Sequence, residues 1–167
     1  MRLSRFILSN LDEILKEWED FAVTLAPLED ADKIELRDHA TEVLKVIAID
    51  LETPQAESQS IAKSQGLGPV AVTDTPAEIH AACRMSSGLN SDQVMAEFRA
   101  LRSSVLRLWA RSVTITTADE IQDMVRFNEA IDQAQSESMA RYTKLLRDAQ
   151  SLFLAIPAMT CDRRSAP

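Results

Sequence analysis

With 167 residues, 46% of them apolar and 26% charged, the chain is long enough for one domain with its own core and too apolar to be disordered. A formal net charge of -8 argues against the basic face that nucleic-acid binding requires. Cys83 and Cys161 are the only cysteines, too few for a disulfide framework, and they point to a reducing, cytoplasmic setting. Only 3 glycines and 6 prolines occur, and the stretches between them lack strand-like runs, so the pattern is helical. No run approaches the roughly 18 apolar residues of a membrane span. Asp12 and Glu13 arrive before a signal-peptide core could form.

The first predicted helix covers residues 3–25. Leu3, Ile7, Leu11, Ile14, Trp18, Phe21 and Leu25 recur at three- and four-residue spacing along one stripe, and Pro27 ends it. A second runs from Ala31 to Leu51, with Asp30 as N-cap and Ile34, Leu44, Ile47, Ala48 and Leu51 facing inward. Pro54 closes it. Residues 54–75 carry Gln, Ser, Gly and Pro and read as a surface connection with a short helical turn over 56–63.

Thr75-Pro76-Ala77-Glu78 has a capping threonine, a proline at the first helical position and a glutamate that reaches back. It opens a third helix that stops near Gly88. Ser91 is the expected cap of a fourth, whose seam is Val94, Phe98, Leu101, Val105 and Leu108 beside Trp109. Arg99, Arg102, Arg107 and Arg111 read as a solvated face balancing nearby acids. Thr117-Ala118-Asp119-Glu120 is a second capping box, and no proline or glycine follows until Pro157. One helix of about 40 residues, roughly 60 Å long, outruns a domain of this size. Ile121, Met124, Val125 and Ile131 in its first half are expected to pack on the domain. In its second half Ser138, Tyr142, Leu145, Ala149, Leu152 and Ile156 alternate as a and d positions of a short coiled-coil seam.

Catalytic motifs are missing: there is no phosphate loop, nucleophile elbow or paired-cysteine metal motif. His80 and Cys83 stand one turn apart, but two ligands do not make a zinc site, and they read as a structural pair. His39 reads as a boundary residue, and Trp18, Trp109, Phe98 and Phe127 as core aromatics. No catalytic, cofactor-binding or metal-ligating residue is expected.

Leu11-Asp12-Glu13-Ile14-Leu15-Lys16-Glu17-Trp18, Leu36-Arg37-Asp38-His39-Ala40, Phe98-Arg99-Ala100-Leu101-Arg102 and Arg126-Phe127-Asn128-Glu129-Ala130-Ile131-Asp132-Gln133 resemble the RsbR-type (RsbRD) N-terminal domain. That domain is found at the front of bacterial cytoplasmic sensor histidine kinases and in stressosome co-antagonists. The resemblance spans residues 1–156. It implies an all-α, globin-like domain without haem that dimerises and passes a signal down its last helix, about 117–156, into a kinase or other signalling output domain. The residues expected to carry that transmission and the homodimer contact are Tyr142, Leu145, Ala149, Leu152 and Ile156. No membrane and no nucleic acid are expected as partners. A haem-binding globin is a rival reading, for which His80 is the candidate axial ligand. Others are a stand-alone scaffold acting in trans and, least supported, a helical-bundle enzyme.

Residues 157–167 depart from the kinases, where such a segment is followed by the phosphoacceptor motif H-D/E-L-R-x-P-L. One permitted codon set for 158–167, read from its third base, spells H-D-L-R-S-P-L-G. The tail is therefore expected to be frame-shifted or, alternatively, disordered. His39 and His80 lie outside any such motif, so incubation of the chain with labelled ATP is expected to yield no phosphohistidine.

Overall fold

The computed structural model describes residues 1–25, 33–69, 71–113 and 117–155. Among the described residues every regular element is a helix: α1 Leu3–Ser9, α2 Leu11–Ala22, α3 Lys33–Glu52, α4 Glu57–Ser64, α5 Pro76–Ser86, α6 Ser91–Ser112 and α7 Ala118–Ala155. The core draws Leu3, Ile14 and Trp18 from α1 and α2, Leu44 from α3, Val94 from α6 and Phe127 with Ile131 from α7. None of the described helices is long and apolar enough to cross a membrane.

The expected first helix is two. Its apolar stripe is intact, with Leu3, Ile7, Ile14 and Trp18 buried, but the backbone breaks at Asn10. There the Asn10 amide donates to the Phe6 carbonyl at 2.8 Å and closes α1, a local competition typical of asparagine. The cap of α6 is Asn90, one residue before the expected Ser91: its Oδ1 accepts from Gln93 N at 2.9 Å, and Gln93 Oε1 accepts from Asn90 N. Asparagine and serine both cap well, and the sequence alone leaves that choice open. The expected Asp30 cap and the stop at Pro27 lie outside the described residues, as does the side chain of Ile34.

The other boundaries agree with the sequence. Thr75 Oγ1 accepts from Glu78 N while Glu78 Oε2 accepts from Thr75 N at 2.7 Å. Thr117 and Glu120 form the same reciprocal pair. The end of α5 follows the glycine rule: Gly88, at φ 84°, donates to the Met85 carbonyl while Leu89 N reaches back to Arg84 O. Leu89, 1% exposed, is thereby turned into the core. Gly66, at φ 68°, closes α4 in the same way, and a Cβ there would collide with Ser136 of α7.

The first half of α7 faces inward differently from expectation. Ile131 is buried, but Ile121, Met124 and Val125 are 50%, 40% and 43% exposed. The inner stripe is instead Asp123, Phe127, Ala130, Ala134, Ser138 and Tyr142. Phase explains the correction. Asp123 and Glu120 are required inside because they accept donors from the chain's beginning: Arg2 and Leu3 N for Asp123, and the Met1 ammonium for Glu120. The apolar residues beside them are turned outward.

Backbone bonding at Thr117, then the Met1 ammonium, holds Glu120 below its usual value of 4.5, and hydrogen bonding to Arg107 does the same for Glu17. Carboxylates depressed in the folded state stabilise it above their unfolded pKa and cease to do so as pH falls through the folded one. Thermal melting is therefore expected to fall from about pH 5 to about pH 3, and less steeply in Glu120→Gln, which keeps a capping side chain. An unchanged slope would assign the acid sensitivity to other groups.

Candidate functional site

Two features stand apart from ordinary core packing: a buried ionic cluster between α5 and α6, and the course of α7 beyond the domain. The cluster centres on Glu97, 1% exposed. Arg84 Nε meets both of its oxygens, at 2.9 and 3.0 Å, and His80 Nε2 lies 3.1 Å from Oε2. Trp18 Nε1 donates to the Glu97 carbonyl at 3.1 Å, and the Arg84 guanidinium lies over the Trp18 ring, 6.0 Å from its centroid. His39, half-buried on α3, sets its ring against that of His80 at 6.5 Å between centroids and lies 3.5 Å from Cys83 Sγ.

The His80–Cys83 pairing is thus divided: His80 turns to Glu97, Cys83 to His39. No group of three or more His, Cys, Asp or Glu side chains among the described residues could hold a metal ion. The haem reading fails on space. His80 is 3% exposed, one ring nitrogen is engaged by Glu97, and the void against it, bounded by Trp18, Ala40 and Phe98, measures about 10 Å³. That is room for one water, while a macrocycle needs several hundred Å³.

Sequence reading passed over Glu97 and Arg84, although a signal existed. Glu97 falls within the α6 seam between Val94 and Phe98, and Arg84 follows His80 and Ala81 on the inner face of α5. A charged residue inside an apolar stripe marks a buried pair. Two of the four α6 arginines balance acids as expected: Arg102 pairs with Asp132 and Arg107 with Glu17 at 2.6 Å.

The inner half of α7 engages the remaining elements in turn. Arg126 donates to the carbonyls of Asp50, Leu51 and Thr53 at the end of α3, where helical carbonyls run short of donors, although Thr53 N also reaches Asp50 O at 3.0 Å. Glu129 accepts from Gln55 and Ser60, and Gln133 from Gly68 N at 2.8 Å. Glu137 accepts from the Thr75 hydroxyl at 2.8 Å, and Arg141 pairs with Asp74 at 3.2 Å. Tyr142 closes the series, its hydroxyl donating to the Leu89 carbonyl at 2.9 Å.

Tyr142 is therefore 7% exposed and occupied inside its own domain. Leu145 is half-buried, Ala149 is exposed, and Leu152 is 74% exposed. Ile156 lies outside the described residues. The positions 145, 149 and 152 continue the inner stripe that ends at Tyr142. Residues 143–155 extend about 20 Å further at 1.5 Å per residue, with Leu146, Leu152 and Phe153 open to solvent.

Among the described residues this arrangement is all-helical, with the last described turns of α7 exposed. Compared with protein-family models, curated proteins and solved structures, the chain matches none.

Arg84→Met keeps the apolar stem and removes the charge, leaving the buried Glu97 side chain with His80 but without its guanidinium, which is expected to cost about 3–5 kcal/mol in urea unfolding. Adding Glu97→Leu should recover most of that loss, because the apolar pair leaves no charge behind. A single-variant loss below about 1 kcal/mol would show that the pair behaves as an exposed one.

Proposed function

We propose that the chain is a sensory and regulatory input domain of the RsbR type, globin-like in arrangement, that serves a bacterial cytoplasmic sensor histidine kinase. It dimerises and transmits its signal through α7. The observation that carries this reading is the fate of the inner stripe of α7. Up to Tyr142 it is covered by the domain, at Leu145 it is half-buried, and beyond that the same stripe is exposed at Ala149 and Leu152. A seam at heptad spacing that leaves a core uncovered is satisfied by a second copy of itself.

The bonding of α7 supports a coupling role. The residues that hold α7 in place, from Asp123 to Tyr142, each contact a different part of the domain. A rearrangement at any of these contacts bears on the rotation or axial position of one rigid helix. Packed helices respond to such pressure by discrete shifts of register. The paired ends would deliver that shift to the kinase. In this scheme Leu145, Ala149 and Leu152 form the contact, with Ile156 extending it, while Tyr142 anchors the helix to its own domain.

The test is solution mass. The intact chain is expected to run as a dimer by light scattering, and Leu145→Glu/Leu152→Glu as a folded monomer with an unchanged helical circular-dichroism signal. A monomeric parent chain, or a double variant that remains dimeric, would overturn the seam.

A further inference from the structure

A cavity of about 450 Å³ opens between α3, the first turn of α5 and α7, within the size range of small-molecule sites. Its walls are mainly apolar, with Val43 and Ile47 from α3, Ala77 from α5, and Ala130 and Ala134 from α7. The three alanines leave space that longer side chains on the same faces would fill.

The polar groups in this wall are unequally served. Lys63 is bound to Asp50 Oδ1. Asp50 Oδ2 is buried without a hydrogen-bond partner, with the Arg126 guanidinium 4.0 Å away. Glu137 accepts from the Thr75 hydroxyl at 2.8 Å and the Gln133 amide at 2.9 Å, both neutral donors. A carboxylate beside an apolar space gains most from a donor that brings positive charge. Of the three carboxylates that line the cavity, Asp50 has Lys63 and Arg126 beside it and Asp74 pairs with Arg141 at 3.2 Å, while the described partners of Glu137 carry no charge. An anionic head group placed at Glu137 would be repelled by that carboxylate.

We propose that this cavity binds a small organic ammonium ion, its apolar body among the alanines and its N–H donors on Glu137. The consequence of binding, though not binding itself, rests on the sensory reading. Glu137 also holds Thr75, the cap of α5. An ammonium on Glu137 competes with that bond and alters the contact of α5 with α7 shortly before α7 leaves the domain at Tyr142. Ligand occupancy is thereby connected to the projecting seam.

Phenethylamine, phenethyl alcohol and phenylacetate share an apolar body and differ in head-group charge. Each is titrated into the full chain and followed through the amide resonances of residues 130–137. The amine is expected to saturate, about tenfold tighter than the alcohol, with no binding by phenylacetate. Glu137→Gln keeps an acceptor for Thr75 and should weaken the amine about tenfold while leaving the alcohol unchanged. Ala134→Phe, which fills the cavity, should abolish the response, with melting curves used to establish that both variants are folded. Equal affinity for the three probes, preference for phenylacetate, or no response to the amine would overturn the proposal. The mass of the ligand-free chain reports on the signalling reading separately. A dimer indifferent to the amine removes only the present inference, and a monomer that binds it removes only the dimeric seam.

Discussion

A row of polar side chains on α7 takes up the donors and acceptors that the other helices leave unsatisfied, and the rest of the fold depends on it. From Asp123 to Tyr142 these residues meet the chain in its own order: Leu3 N, the end of α3, Ser60, Gly68, Thr75 and Leu89. Helix ends and connections buried against a neighbour must find partners, since water is excluded there and an unpaired backbone group costs about 1–3 kcal/mol. α7 supplies those partners along one rigid rod. This explains why so long a helix carries acids and amides on faces that apolar residues would otherwise occupy.

The Arg84–Glu97–His80 cluster performs a second, more local task. α5 has few large apolar side chains on its inner face, where Ala77, His80, Ala81 and Arg84 are buried. Its attachment to α6 therefore runs through charge, with Trp18 covering the guanidinium. Buried ionic contacts of this kind contribute little net stability, because desolvation offsets attraction. They penalise any packing in which Glu97 loses its partners, and so fix how α5 sits on α6. The cavity lies where the first turn of α5 meets α3 and α7, and there alanines leave room for a guest.

Much of this was legible from the chain. The capping boxes at Thr75 and Thr117 are complete within four residues, and both form as read, because their bonds are local. The seam of α6 from Val94 to Leu108 is buried throughout, since helical periodicity depends on the sequence of one segment. The projection of α7 follows from its uninterrupted length. The break at Asn10 was less legible, since an asparagine within an apolar stripe is compatible with a continuous helix. The outward turn of Ile121, Met124 and Val125 ran against hydrophobicity, because Glu120 and Asp123 had distant claims on the interior.

The sequence by itself determined the helical class, the limits of most helices and the length of α7 beyond its domain, all consequences of caps, breakers and periodicity acting within a few residues. Only the tertiary structure decided which face of α7 is inner, that Glu97 rather than Cys83 is the partner of His80, and that a cavity lies beside Glu137. Each of these depends on contacts between residues far apart in the chain, such as Leu3 with Asp123 and Thr75 with Glu137. Their energies come from donors and acceptors paired in the absence of water, and no local pattern records which distant group will arrive.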